Sequence, residues 1–161
     1  EHIISCSGNF ARQTGKMVGL EIPVIPIPSM GVIATRVSRD YSVDRVTVAL
    51  HARADEVYLA RFYCGGNFLP VQVGRYEVGC TKDFAIPTQH CEVLAGSGAS
   101  TFAEFAPEYF SAFDQTIIEA QSNIGDLIEL ARLEFEAGRW VDPMVASPIY
   151  VREEVAKKPA P

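Results

Sequence analysis

Arg45-Val46-Thr47-Val48-Ala49-Leu50, followed by Glu56-Val57-Tyr58-Leu59-Ala60-Arg61-Phe62-Tyr63, carries the clearest structural signal in the chain. Both runs are rich in β-branched and aromatic residues, and the second alternates between apolar and polar positions, so the pair predicts two strands. The polar residues between them predict a hairpin tip. Gly65-Gly66-Asn67 predicts a second turn, and Phe68 to Val73 returns as a third strand. The three together form an antiparallel meander. Residues Gly74 to Gln89 show no clear period. Glu92-Val93-Leu94-Ala95 is a short apolar run ending in Gly96-Ser97-Gly98, which predicts a strand feeding a loop.

Helical patterns flank this meander. Asn9 to Leu20 places Phe10, Gln13, Met17 and Leu20 on one face. Gly15 and Gly19 sit four apart there, a spacing that lets another helix approach closely or that serves plain packing. Val24 to Pro28 predicts a short strand whose prolines must lie at an edge or an end. Ser29 predicts an N-cap for a helix through about Val37, and Ser38 to Asp44 a polar loop. Thr101 to Phe113 is aromatic-rich and broken by Pro107. Ser122 to Ala137 is the strongest helix, with Ile124, Leu127, Ile128, Ala131 and Phe135 on one stripe and Gly138 as its stop. Val145 to Val151 predicts a last extended segment. Strands and helices mix throughout, so the class is α/β or α+β.

Composition bounds the function. The 161 residues are 48% hydrophobic and 21% charged, the range of a folded globular domain. The most apolar stretch, Ile22 to Ile27, carries Pro23 and Pro26 and is far shorter than the roughly 18 residues of a membrane span. The net charge of −6 disfavours direct contact with nucleic acid. Cys6, Cys64, Cys80 and Cys91 form no C-x-x-C pair, which predicts free thiols in a reducing compartment.

No segment makes a convincing catalytic centre. Gly8 to Lys16 evokes a phosphate loop, but six residues separate its glycines and Met17 follows Lys16, so the spacing is wrong. Gly96-Ser97-Gly98-Ala99-Ser100 lacks the G-x-S-x-G pattern of a nucleophile elbow and predicts a tight connection. His90 and Cys91 are neighbours on a strand and point to opposite faces. His2, His51 and His90 have no metal-ligand spacing to one another or to the cysteines. Asp55 and Glu56 could work as an acid–base pair, and Arg53 could bind an anion. A solvated turn explains all three. The residues therefore favour a binding or scaffolding subunit over an enzyme.

Four ordered passages resemble the bacterial TsaB (YeaZ) family. Gly19-Leu20-Glu21-Ile22-Pro23-Val24-Ile25-Pro26-Ile27-Pro28-Ser29 resembles its G-x-x-I-P-V-I-G-V-S passage. Arg45 to Tyr58, through Ala52-Arg53-Ala54-Asp55-Glu56-Val57-Tyr58, resembles its V-x-x-x-I-D-A-R-x-x-E-V-Y hairpin, with His51 in place of the family Asp. Val93-Leu94-Ala95-Gly96-Ser97-Gly98 resembles its V-x-G-x-G strand and loop. Pro148-Ile149-Tyr150-Val151-Arg152 resembles its closing P-x-Y-L-R. The family's opening D-T-S/T strand and its G-P-G-S-F-T-G segment have no counterpart here. The resemblance therefore implies a family protein lacking most of its N-terminal lobe.

The resemblance implies an α/β fold, an actin-like (ribonuclease H-like) lobe with a mixed sheet flanked by helices. Residues 1–38 would be the remnant of the N-terminal lobe, 39–152 the C-terminal lobe and 153–161 a flexible tail. The implied function is that of a non-catalytic scaffold and dimerisation subunit, without cofactor, metal or membrane, in the cytoplasm. It would pair with a TsaD-like subunit, meet a TsaE-like ATPase through the complex, and reach tRNA only that way. The complex forms N6-threonylcarbamoyladenosine at position 37 of tRNA. A homodimer is a further expected state. Arg12, Gly15, Lys16 and Gly19, on the first helix, are the expected partner-binding residues. The competing readings are an M22-type peptidase using Ser97 or Cys91, and a self-associating α/β fragment without activity.

Overall fold

A computed structural model describes residues 23–65, 69–87, 91–147, 149 and 151, the side chains of Cys91 and Glu92 apart. The expected helix Asn9 to Leu20 lies outside the described residues. Among the described residues five strands form one sheet: β1 (Arg45–Arg53), β2 (Glu56–Tyr63), β3 (Val71–Cys80), β4 (Cys91–Ala95) and β5 (Phe113–Ile117), in the order β3-β2-β1-β4-β5. The first three are antiparallel, with Val48 opposite Ala60 and Tyr58 opposite Val78. β4 runs parallel to β1, and β5 parallel to β4. This is the mixed sheet flanked by helices that the resemblance implies.

Alternation along β1 and β2 sends side chains to both faces, and both are covered. On one face Val46, Val48, Ala60, Phe62, Val93 and Ala95 pack against Met30, Ile33, Ala34 and Val37 of α1 (Ser29–Tyr41). On the other, Ala49, Val57, Leu59 and Leu94 pack against α2 (Gly98–Phe105) and α3 (Pro107–Phe110). Phe102 and Tyr109 stack there at 4.2 Å between ring centroids, and Phe84 meets both edge-on. α4 (Ile124–Glu136) lies outside α1, where Leu127, Leu130 and Ala131 close over Ile25, Ile27 and Val32. Each fully buried aliphatic or aromatic side chain contributes roughly 1.5–3 kcal/mol relative to exposure.

Several boundaries differ from the expectation for identifiable reasons. Pro28, not Ser29, caps α1; no side chain caps the helix, and the Pro28 carbonyl accepts from Gly31 and Val32. α1 continues to Tyr41 because Ser38 is buried and its hydroxyl reaches the Cys64 carbonyl. Of Val24 to Pro28, only Val24 makes a β-bridge, to Val141. The third strand starts at Val71 and extends to Cys80. Gly74, at φ +80°, sits in a register shift that hides the alternation. β5 was not expected at all. α4 begins after Asn123, whose side chain accepts the Asp126 N–H, and Gly138 follows it at φ +72°. Its buried residues are Asp126, Leu127, Leu130 and Ala131, so Ile124, Ile128 and Phe135 are exposed flanking positions. Val145 lies in a turn closed onto the Asp142 carbonyl, not in an extended segment.

The join from β4 to α2 depends on two glycines. Gly96 has φ +99°, and a Cβ there would lie 2.5 Å from the Ala49 carbonyl oxygen. A Cβ on Gly98 would lie 2.9 Å from the Ala49 carbonyl carbon. Both obstacles are backbone, so they cannot rotate away. Gly96→Ala should therefore destabilise the domain by about 2–4 kcal/mol, read as a lower urea midpoint, whereas Gly138→Ala, with open space around it, should cost only the strain of its positive φ, roughly 1 kcal/mol.

Cys64 is buried beside α1, and burial pushes its thiol up to about 11. In the unfolded chain the thiol ionises near about pH 8.5, so the unfolded state loses its proton first. The contribution of the thiol to stability is complete below that pH and declines as pH rises toward the folded value. Urea unfolding across this alkaline range should show a loss on the order of 1–2 kcal/mol that Cys64→Ala removes, leaving the slope from Tyr76, which burial also raises.

Candidate functional site

β1 and β4 lie side by side and parallel, with Val46 to Val48 against Val93 to Ala95. From β1 the chain leaves toward β2; from β4 it leaves through α2 and α3 toward β5 on the opposite side. By strand order, the carboxyl ends of these two strands are therefore a topological switch point, the kind of place where open α/β sheets receive ligands. His51 lies near the end of β1 at this place, and Gly96-Ser97-Gly98 follows β4.

Long-range contacts knit this junction. The Ser97 hydroxyl accepts the main-chain N–H of His51 at 3.1 Å. The Ser97 carbonyl accepts the Ser100 hydroxyl at 2.9 Å. The His51 ring places Nδ1 3.1 Å from the Oγ1 of Thr101, which is buried on α2. A serine nucleophile needs a base within reach of its hydroxyl. The partner that the geometry gives Ser97 Oγ is a main-chain N–H, and the imidazole is directed to Thr101. Hydroxyls, one imidazole and main-chain amides suit hydrogen bonding better than acyl transfer. Ser97 thus acts as a clamp between β1 and α2.

The other candidates separate. At the β1–β2 tip Ala54 takes φ +48°, Arg53 Nε bonds Glu56 Oε2 at 2.8 Å, and the Asp55 carbonyl accepts the Thr81 N–H at 2.9 Å. Glu56 is thus an ion-pair partner and Asp55 part of a turn, consistent with a structural tip. Cys80 is a free thiol raised by desolvation and by Asp55 and Asp83, which disfavours the nucleophilic thiolate. Among the described residues no three His, Cys, Asp or Glu side chains gather into a metal-binding group. No helix among them is long and apolar enough to cross a membrane. Arg12, Gly15, Lys16, Gly19, Cys6, His2 and His90 lie outside the described residues, as does the Cys91 side chain.

One cluster escaped the sequence reading. Arg39 Nη2 bonds the buried Asp126 Oδ1 at 2.7 Å and Nη1 bonds Glu129 at 3.1 Å, joining α1 to α4. The Asp126 hydrogen bond is the largest influence raising the Arg39 pKa, so the guanidinium stays charged. The Asn123 side-chain amide donates to Asp126 Oδ2. The signal was available: an Asn N-cap followed three residues later by an acid has the spacing of a capping box.

No family model matches the chain. The tRNA threonylcarbamoyladenosine biosynthesis protein TsaB of Haemophilus influenzae is 24% identical over 155 residues, covering 91% of this chain and 64% of that protein. This chain thus spans less than two thirds of the curated relative's length. Among solved structures, an uncharacterized protein with similarity to peptidase YEAZ from Pseudomonas aeruginosa superposes with a TM-score of 0.75. It is 22% identical, covering 90% of this chain and 65% of that one. YeaZ from Pseudomonas aeruginosa gives a TM-score of 0.69 at 21% identity, covering 89% and 65%. These structures share the fold, and the sequence relative covers a comparable share of the chain. On these ordered motifs, this relative and this sheet, the chain is similar to the TsaB (YeaZ) family in sequence and fold.

Proposed function

We propose that this chain works in the formation of N6-threonylcarbamoyladenosine at position 37 of tRNA, as a non-catalytic scaffold and dimerisation subunit. The observation that carries the reading is the match to TsaB along 91% of the chain. The site chemistry supports it. Ser97 is spent on a main-chain contact, Glu56 on an ion pair, and the two described free thiols are both raised in pKa. An acidic chain of net charge −6 also fits a protein partner better than naked tRNA.

The partner is a TsaD-like subunit. A TsaE-like ATPase joins through the complex, tRNA is reached only through it, and the setting is the cytoplasm. The lobe boundaries at 38 and 152 belong to the same reading. Arg12, Gly15, Lys16 and Gly19 form the partner-binding face, because small residues four apart let a second helix come close.

Mixing the chain with a bacterial TsaD and measuring mass by size exclusion with light scattering should give a 1:1 complex. Failure to form one would remove the pairing role. Gly15→Leu should weaken that pairing about tenfold or more while leaving the far-UV spectrum unchanged; unaltered affinity in a titration would exclude the first helix as the contact. A hydrolytic activity lost in the Ser97→Ala/Cys91→Ala double variant would favour the peptidase reading instead.

A further inference from the structure

A groove of about 670 Å³ runs along β3, the outer strand of the sheet. Arg75 and Val78 of β3, Asp83 and Phe84 just after it, and Ile149 and Val151 near the end of the described chain all line it. Ile149 and Val151 are two apart, the spacing of residues that share one face of an extended chain. The pairing of β2 with β3 breaks between Leu59–Glu77 and Arg61–Val73, so residues 74–76 bulge. A bulge interrupts the ladder of main-chain hydrogen bonds, so an occupant of this groove must be held largely by its side chains.

The groove presents two charges of opposite sign. Arg75 and Asp83 are both exposed, and neither has an ion-pair partner among the described residues. Glu77, by contrast, is taken by Arg61 at 2.6 Å. Asp83 lies close to Cys80, where β3 ends, so the two charges are separated by the run of strand from Arg75 to Cys80. Beyond Val151 the sequence continues Arg152-Glu153-Glu154-Val155-Ala156-Lys157-Lys158. Two acids are followed by two apolar residues and then by two bases. Glu153 to Lys158 covers as many residues as Arg75 to Cys80, and an extended chain advances roughly 3.3 Å at each. Acids set against Arg75 therefore bring the bases to Asp83, with Val155 beside Val78. The opposite direction would set Glu153 and Glu154 against Asp83, where like charges repel. Because Ile149 and Val151 already lie in the groove, the following residues are tethered there at high effective concentration.

We propose that residues 152–158 form a strap in this groove, running parallel to β3, with Glu153 and Glu154 on Arg75 and Lys157 and Lys158 on Asp83. The strap covers the open side of the sheet from within the same chain and keeps foreign strands away from it. The inference is independent of the TsaD-like pairing proposed above, because it uses none of residues 1–22.

Limited trypsin cleavage after Lys157, followed by mass spectrometry, reads the open population of the strap. Cleavage there in the whole chain should be about tenfold slower than in a synthetic peptide of residues 149–161, and dilution should not change the rate. Arg75→Glu and Asp83→Lys alter exposed positions. Each should move the rate toward that of the peptide, with an unchanged far-UV spectrum. Under mild oxidation the Arg75→Cys/Glu154→Cys chain should form a disulfide within one molecule faster than the Arg75→Cys/Lys157→Cys chain. Cleavage at the peptide rate overturns the proposal and leaves the groove to a separate molecule. Protection that disappears on dilution assigns the strap to a second copy and overturns it too. Protection indifferent to both charge reversals places residues 152–158 elsewhere, and cysteine pairs that link equally fast overturn the direction of the strap.

Discussion

β1 has helices over both of its faces, and this double burial is the constraint on which the other elements depend. Val46 and Val48 point toward α1, Ala49 toward α2. A strand covered on both sides cannot shift its register by one residue without sending a whole row of side chains to the wrong layer. It also needs a hydrogen-bonding neighbour on each edge, because its backbone groups cannot reach water. β2 supplies one by a tight hairpin. β4 supplies the other, and as a parallel neighbour it must arrive through a longer connection. The glycines that follow β4 then let α2 settle on the backbone of Ala49 and Leu50. The aromatic layer of Phe84, Phe102, Tyr109 and Phe113 assembles on that platform.

The legible parts of this fold are those with a local period. The hairpin of β1 and β2 shows its two-residue alternation directly, and α4 shows its helical stripe and its Gly138 stop. The third strand was displaced because Gly74 interrupts the alternation, and β5 was unreadable because Asp114 and Gln115, exposed at a sheet margin, give it the look of a loop. The inner face of α4 was misjudged by part of a turn: periodicity names an apolar arc, while the position of Ile25 and Ile27 decides which half is covered. The loop Gly96-Ser97-Gly98 was readable as a tight connection. The contact of His51 with Thr101 was not, since it joins residues 50 positions apart that only the finished sheet brings together.

The junction at the ends of β1 and β4 shows how a fold can keep the topological place of a ligand site while its residues take structural duties. The switch-point geometry follows from strand order alone. Its lining is a separate matter. A hydroxyl that clamps a neighbouring strand and an imidazole that bonds a buried threonine stiffen the junction of sheet and helix. The ionic tie of Arg39 to Asp126 serves the same end, because it fixes α4 against α1 by a charged contact shielded from water on one side.

The packing of Leu127, Leu130 and Ala131 over Ile25, Ile27 and Val32 has a consequence for biosynthesis. A ribosome delivers these two groups about a hundred residues apart, a delay on the order of 5–20 s at typical elongation rates. Through that interval the apolar side chains nearer the start have no α4 to cover them. The sheet from β1 to β5 can pair while translation continues, since its strands emerge earlier. α4 then acts as a closing piece. Substitutions in α4 would accordingly tell more on yield and on capture by chaperones during synthesis than on the strand pairing itself.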